Sequence, residues 1–255
     1  MRAAASVVKT ISTEKRVVGM TTVGHKVFVL LSQRKNQVAV YSTEDYRPLC
    51  RLNVPGYTPG DSDDITSCAQ NQCLYMSDIA NRCIHRYDLA KSRSTKWPVS
   101  GKPVGLSLTP GGRLLVTTVH DGPKLVEMSA RSGRRVREIA LQSDMVSLTH
   151  GVQLPSGQFV VCRLDRVCAV GDDGKVTHNY VDSTMQRVDH LAVDKDSQFI
   201  FAADRGNHRV VLLTPTLEWV RDFKGLSLRA RRLYFHRSTK RLFVGQSDGV
   251  NIIQL

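Results

Sequence analysis

A chain of 255 residues, 41% hydrophobic and 23% charged, has the composition of an ordinary soluble protein with enough apolar residues for a sizeable core. No run approaches the roughly 20 apolar residues that span a bilayer, and residues 1–10 lack the continuous apolar stretch of a secretory leader. This excludes a membrane partner and predicts a cytoplasmic protein, while the formal charge of +13 favours an anionic partner, because clustered Lys and Arg release counterions on binding phosphates.

The first predicted element, Ser6-Val7-Val8-Lys9-Thr10-Ile11, is strand-like and belongs to no repeat. From Met20 onward a four-strand unit recurs, in which an alternating strand, a polar turn and a continuous apolar strand follow one another. The first copy reads Met20-Thr21-Thr22, a turn at Gly24-His25-Lys26, then Val27-Phe28-Val29-Leu30. The second pairs Ile65-Thr66-Ser67 with Cys73-Leu74-Tyr75-Met76, and the third pairs Leu106-Ser107-Leu108 with Leu114-Leu115-Val116. Val152-Gln153-Leu154 with Phe159-Val160-Val161-Cys162, Leu191-Ala192-Val193 with Phe199-Ile200-Phe201-Ala202, and Leu233-Tyr234-Phe235 with Leu242-Phe243-Val244 complete the series.

The leading residues of these copies lie 45, 41, 46, 39 and 42 positions apart, the period of one propeller blade. A third strand such as Val38-Ala39-Val40-Tyr41, then a more polar fourth such as Arg135-Val136-Arg137-Glu138-Ile139, fits a sheet running from a buried axis to a solvated rim. The sixth copy reaches Leu255 after its third strand, so residues 6–11 are expected to supply its fourth and close the ring, removing exposed sheet edges. Residues 1–255 are therefore read as one all-β domain, a six-bladed β-propeller with blades starting near 20, 65, 106, 152, 191 and 233, and a monomer is expected. The six cysteines, Cys50, Cys68, Cys73, Cys83, Cys162 and Cys168, form no CxxC pair and stand mostly inside apolar runs, which predicts buried free thiols in a reducing compartment.

Between the second and third strands of the fifth copy stands Asp204-Arg205-Gly206-Asn207-His208-Arg209-Val210, and the second copy repeats its skeleton as Asp78-Ile79-Ala80-Asn81-Arg82-Cys83-Ile84. A looser version, Ser32-Gln33-Arg34-Lys35-Asn36-Gln37-Val38, stands in the first. These segments resemble the NHL repeat of tripartite-motif and Brat-like proteins. Asp and Asn side chains bond neighbouring backbone groups and tolerate left-handed turns, so Asp78, Asn81, Asp204 and Asn207 are expected to be structural. The resemblance implies a top-face platform for single-stranded or hairpin RNA in post-transcriptional regulation, or for protein partners. Those relatives carry RING, B-box and coiled-coil segments ahead of the propeller; none is seen here, so ubiquitin-ligase activity is not expected of this chain.

The top face is the one on which innermost strands begin, and two sets of loops converge there. The loops between second and third strands bring Arg34, Lys35, Arg82, Lys124, Arg163, Arg166, Arg205 and Arg209. The loops leading into the innermost strands bring Lys102, Arg187, Arg229, Arg231 and Arg232. These thirteen residues are the RNA-binding candidates, gripping phosphates and stacking on splayed bases. Asp61, Asp63, Asp64, Asp144, Asp165 and Asp189 share the face, with the run at Asp61 to Asp64 predicted to repel phosphate, and Tyr57 is the one aromatic residue placed in a top loop. A protein-interaction scaffold is the alternative those features favour.

An enzyme is not expected. The chain has no Gly-Lys-Ser phosphate loop, Gly-x-Ser-x-Gly elbow or His-Glu-x-x-His helix, and no catalytic residue or cofactor is assigned. His150 and His190 stand at the starts of blades near Asp63, Asp64 and Asp189, the setting of a metal-dependent lyase or hydrolase at a channel mouth. Aligning the blades puts the two histidines one register apart, and Arg231 and Arg232 share their rim, so no metal is expected.

Overall fold

The computed structural model describes residues 6–33, 37–224 and 229–255, which form six four-stranded antiparallel sheets and one short 3-10 turn at Arg205–Asn207. After β1 (Ser6–Ser12), blade 1 contains β2 (Val17–Val23), β3 (Lys26–Leu31), β4 (Gln37–Ser42) and β5 (Pro48–Asn53). Blade 2 is β6 (Ile65–Cys68), β7 (Cys73–Asp78), β8 (Cys83–Asp88) and β9 (Arg93–Pro98); blade 3 is β10 (Lys102–Leu108), β11 (Leu114–Val119), β12 (Lys124–Met128) and β13 (Arg135–Ala140). Blade 4 follows with β14 (Leu148–Gln153), β15 (Phe159–Arg163), β16 (Arg166–Val170) and β17 (Val176–Tyr180), and blade 5 with β18 (Val188–Val193), β19 (Ile200–Asp204), β20 (Arg209–Leu213) and β21 (Trp219–Phe223). Blade 6 is β22 (Arg232–His236), β23 (Arg241–Gly245) and β24 (Gly249–Gln254), completed by β1, which pairs antiparallel with β24 from Ser6 opposite Gln254 to Ser12 opposite Gly249.

The core is six wedges, one between each pair of neighbouring blades. A fully buried second strand feeds both wedges beside it because successive side chains point to opposite faces. In β15, Phe159 and Val161 pack with Leu115 and Leu125 of blade 3, while Val160 and Cys162 pack with Leu191 and Ala202 of blade 5. In β7, Leu74 and Met76 face blade 1 while Cys73 and Tyr75 face blade 3. This double burial is why the second strands read as continuous apolar runs, whereas fourth strands such as β5 and β9 are mostly exposed.

Four of the innermost strands carry an extra residue near their top end, at Val17/Gly19, Pro103/Gly105, Leu148/His150 and Val188/Leu191. A bulge of this kind leaves one residue out of the ladder and re-aims its neighbours. Gly105 leaves room for that geometry, since a Cβ there would sit 2.9 Å from both the Cα and the Cδ2 of His150. Among the described residues, no helix is long and apolar enough to cross a membrane.

Candidate functional site

The bulges aim side chains from several blades at the axis, just beneath the top face. Asp64, immediately before β6, accepts the backbone N–H of Ile65 on Oδ1 and that of Leu106 on Oδ2, each at 2.9 Å. The Leu233 N–H points at Nδ1 of His190 at 3.4 Å, so the other nitrogen of that ring carries the proton, and Nε2 donates to Asp64 Oδ2 at 3.4 Å. His150 donates from Nε2 to the Leu106 carbonyl at 3.1 Å, and its ring stacks on His190 with centroids 3.7 Å apart. Arg232 donates to the carbonyls of Val18, at 2.6 Å, and of Ser62 and Asp63. These bonds join all six blades at the axis, with blade 1 reached through Val18 and blade 6 through Leu233 and Arg232.

The convergence of His150, His190 and Asp64 corrects the one-register offset expected from the aligned blades. The bulge at Val188/Leu191 and the one at Leu148/His150 shift the two rings until they stack. Burial alone raises the Asp64 carboxyl, but His190, His150 and Arg232 more than offset it and hold the group well below the usual carboxylate range. Burial pushes the His150 imidazole down to about 3, so that ring is neutral at physiological pH. Ligand atoms of Asp64, His150 and His190 lie within 4.8 Å of one another, close enough in distance for a metal. The donor chemistry is against it: both Nε2 atoms carry protons aimed at acceptors, the carboxylate is occupied by backbone N–H groups, and Arg232 adds a positive charge alongside. The same holds for Asp78, Cys83 and His85, where Asn81 bonds both Asp78 oxygens, His85 Nε2 takes Oδ2 at 3.0 Å, and burial pushes the Cys83 thiol up, away from thiolate.

Below this plug a channel of about 760 Å³ opens on the opposite face, with His150 and His190 as its deepest lining residues.

Above the plug, at the junction of blades 5, 6 and 1, Arg16, Arg205, His208, Arg229, Arg231 and Ser247 line a cleft of about 460 Å³. Arg16 pairs with Asp61 at 2.6 Å, and Arg205 with Asp189 at 3.3 Å. Asp189 also takes Arg187 at 2.8 Å. Arg231 is 7% exposed, and among the described residues neither it nor Arg229 has a carboxylate partner. Burial, then Arg205, push the Arg231 guanidinium down to about 10, with Asp189 opposing them in part.

The predicted ring of thirteen residues is not one continuous surface. Arg34 and Lys35 lie outside the described residues. Arg209 is buried and spent on three carboxylates, Asp182, Asp204 and Asp222, each at 2.8 Å, and Arg232 is committed to the axial carbonyls. Lys124 pairs with Glu138, while Arg163 and Arg166 share Asp165. Arg82, Lys102, Arg229 and Arg231 are the candidates with no acidic partner among the described residues, and Arg187 and Arg205 compete for the single carboxylate of Asp189. The acidic interruption also shrinks, because Asp63 and Asp64 are buried and only Asp61 of the three stands at the surface. Burial pushes Asp63 up to about 6. Tyr57 is fully buried, its hydroxyl donating to the Ser77 carbonyl, and offers no stacking platform.

Arg16, His208 and Ser247 were not expected at the site. Arg16 had a readable signal, since it immediately precedes an innermost strand, as Arg187 precedes β18 and Arg231 precedes β22.

Six radial sheets closed on a shared axis define a six-bladed β-propeller. No protein-family model matches the chain, and neither does any curated protein. Among solved structures, hydrazine synthase of Kuenenia stuttgartiensis is similar to it, with a TM-score of 0.68 at 12% identity over 97% of this chain and 98% of that one. At that identity the likeness shows the fold alone, a scaffold that suits binding in general.

Proposed function

We propose that this propeller is a non-enzymatic binding platform whose top-face arginine cleft takes the phosphates of single-stranded or hairpin RNA. The observation that carries the reading is Arg231, a largely buried residue that forms no ion pair among the described residues and lines a cleft shared with three further arginines. A guanidinium outside any ion pair at such a place supplies attraction for an anion without first breaking one. The NHL-like turns support the same reading: Asn81 bonds Asp78 and Asn207 bonds Asp204, so these residues shape the top loops and leave recognition to the arginines. Six cysteines without a disulfide, five of them buried, suit a reducing, cytoplasmic compartment.

The test is the affinity for labelled single-stranded RNA as a function of salt, wild type beside Arg229→Gln/Arg231→Gln. Each phosphate contact in a single strand contributes about 0.7 to the slope of log affinity against log salt, so losing two flattens it by about 1.4. A slope unchanged by the double substitution would remove the cleft from the interface.

A second reading, a protein partner, is favoured by one observation: Val146, Leu164 and Val181 are exposed on top-face loops of blades 4 and 5. An acidic peptide with apolar anchors would use both those side chains and the cleft. Capture of partners that survives nuclease treatment and is lost on Val146→Ser/Leu164→Ser would select this reading over RNA.

A further inference from the structure

We propose that the arginine cleft is an end-binding pocket selective for a terminal phosphomonoester, the dianionic group at one end of a nucleic-acid strand, over the singly charged diesters along it. This rests on the reading of the top face as a phosphate-binding surface. Its first ground is charge. Four guanidiniums, from Arg16, Arg205, Arg229 and Arg231, line the cleft, and Asp61 and Asp189 are the two carboxylates that pair with them. Because Asp189 is shared with Arg187 as well, at least two positive charges are left over, an excess that favours the dianionic phosphomonoester over a singly charged diester.

The second ground is shape. The cleft is a compact hollow at the junction of three blades, walled by Arg16 before β2, Arg205 and His208 after β19, Arg229 and Arg231 before β22, and Ser247 in the turn before β24. Donors converge on it from four separate segments, an arrangement that can meet the three free oxygens of a terminal group from several sides. A diester presents only two free oxygens and must carry chain out of both sides. The third ground is Arg231 itself, a largely buried residue that lines the hollow and forms no ion pair among the described residues. A ligand oxygen entering the hollow can therefore meet this guanidinium without displacing a carboxylate from it.

The experiment compares a 12-nucleotide RNA carrying a 5′-phosphate, the same strand with a 3′-phosphate, and the strand with hydroxyls at both ends, with AMP against adenosine as small probes. The phosphorylated strand is expected to bind at least tenfold more tightly than the hydroxyl strand, and the better of the two phosphorylated forms identifies the end recognised. AMP is expected to bind saturably while adenosine does not, and Arg231→Gln to bring phosphorylated and hydroxyl strands within twofold. Because Arg231 is buried beside the axial plug, the exposed Arg229→Gln serves as a second variant and is expected to narrow the preference at least threefold. Phosphorylated and hydroxyl strands binding equally well to the wild type would overturn the pocket while leaving the RNA reading standing. AMP binding that is lost in the variants, with no RNA binding of any kind, would uphold the pocket and sink the RNA reading. Equal failure of AMP and phosphorylated RNA to bind would overturn both.

Discussion

At the scale of single residues, the most consequential pairing is one that composition conceals. Arg209 reads as one more surface cation in an NHL-like turn, yet it is buried at the centre of Asp182, Asp204 and Asp222. Asp204 was legible as a turn-former because the Asp and Asn spacing marks it. Its second role was not, since Asp222 reaches Arg209 from the neighbouring strand β21 of the same blade, and Asp182 from the segment that joins blades 4 and 5. Arg209→Met would leave three carboxylates facing one another, and breaking a buried pair by removing one partner costs about 3–5 kcal/mol. A fall of that size in urea-unfolding stability, partly recovered by adding Asp204→Asn, is expected; a loss below about 1 kcal/mol would show that water replaces the guanidinium. His150 gives a second, pH-dependent outcome. Its folded-state value of about 3 lies below the ordinary 6.5, so between the two the unfolded chain binds a proton that the folded one refuses, and stability falls as pH drops through that window. Asp63, pushed up to about 6, works with the opposite sign between about 6 and 4, so the informative quantity is a difference between variants. His150→Gln keeps a donor for the Leu106 carbonyl and removes the titration. The advantage of wild type over this variant is expected to shrink as pH falls from 6.5 towards 3, whereas parallel stability curves would show that His150 does not titrate on unfolding.

At the scale of elements, the blades were legible because a propeller repeats two simple periodicities, alternation in the innermost strand and a continuous apolar run in the second. Both follow from burial: one strand lines the axis, the other fills two wedges at once. The closing strand was legible too, by elimination, since Ser6 to Ile11 had no other partner and the sixth blade had no fourth strand. The bulges were not. One extra residue in an innermost strand leaves no mark in composition, and without it the blade alignment sets His150 and His190 one position apart. A single inserted residue in an extended strand flips every side chain beyond it, so an error of one position is enough to hide the axial plug. The arginine cleft was partly legible for the same reason. Basic residues at the entry to innermost strands were read as convergent in blades 3, 5 and 6, and Arg16, in the corresponding place before β2, extends the pattern to blade 1.

At the scale of the whole molecule, a ring built from radial sheets must be closed without a covalent bond where its last blade meets its first strands, and two separate devices close it. At the rim, β1 zips onto β24, and Ile11, 4% exposed, packs with Val17, Val250 and Ile252 across the junction. At the axis, Arg232 of blade 6 bonds the Val18 carbonyl of blade 1, which the bulge at Val17/Gly19 releases from the β2–β3 ladder, and the Ser62 and Asp63 carbonyls of blade 2. The rim latch is apolar and the axial latch is polar, so they respond to different perturbations. Ile11→Ala removes buried methyl and methylene groups, at a cost of about 2–5 kcal/mol. Arg232→Met keeps much of the volume but strands buried carbonyls and deprives Asp64 of a neighbouring charge, a loss of about 3 kcal/mol. The two sites share no partner, so their costs are expected to add to within about 0.5 kcal/mol in a double-mutant cycle read by denaturant unfolding. A double variant clearly more stable than the sum predicts would mean that breaking one latch already opens the other, and that the seam holds or fails as a single unit.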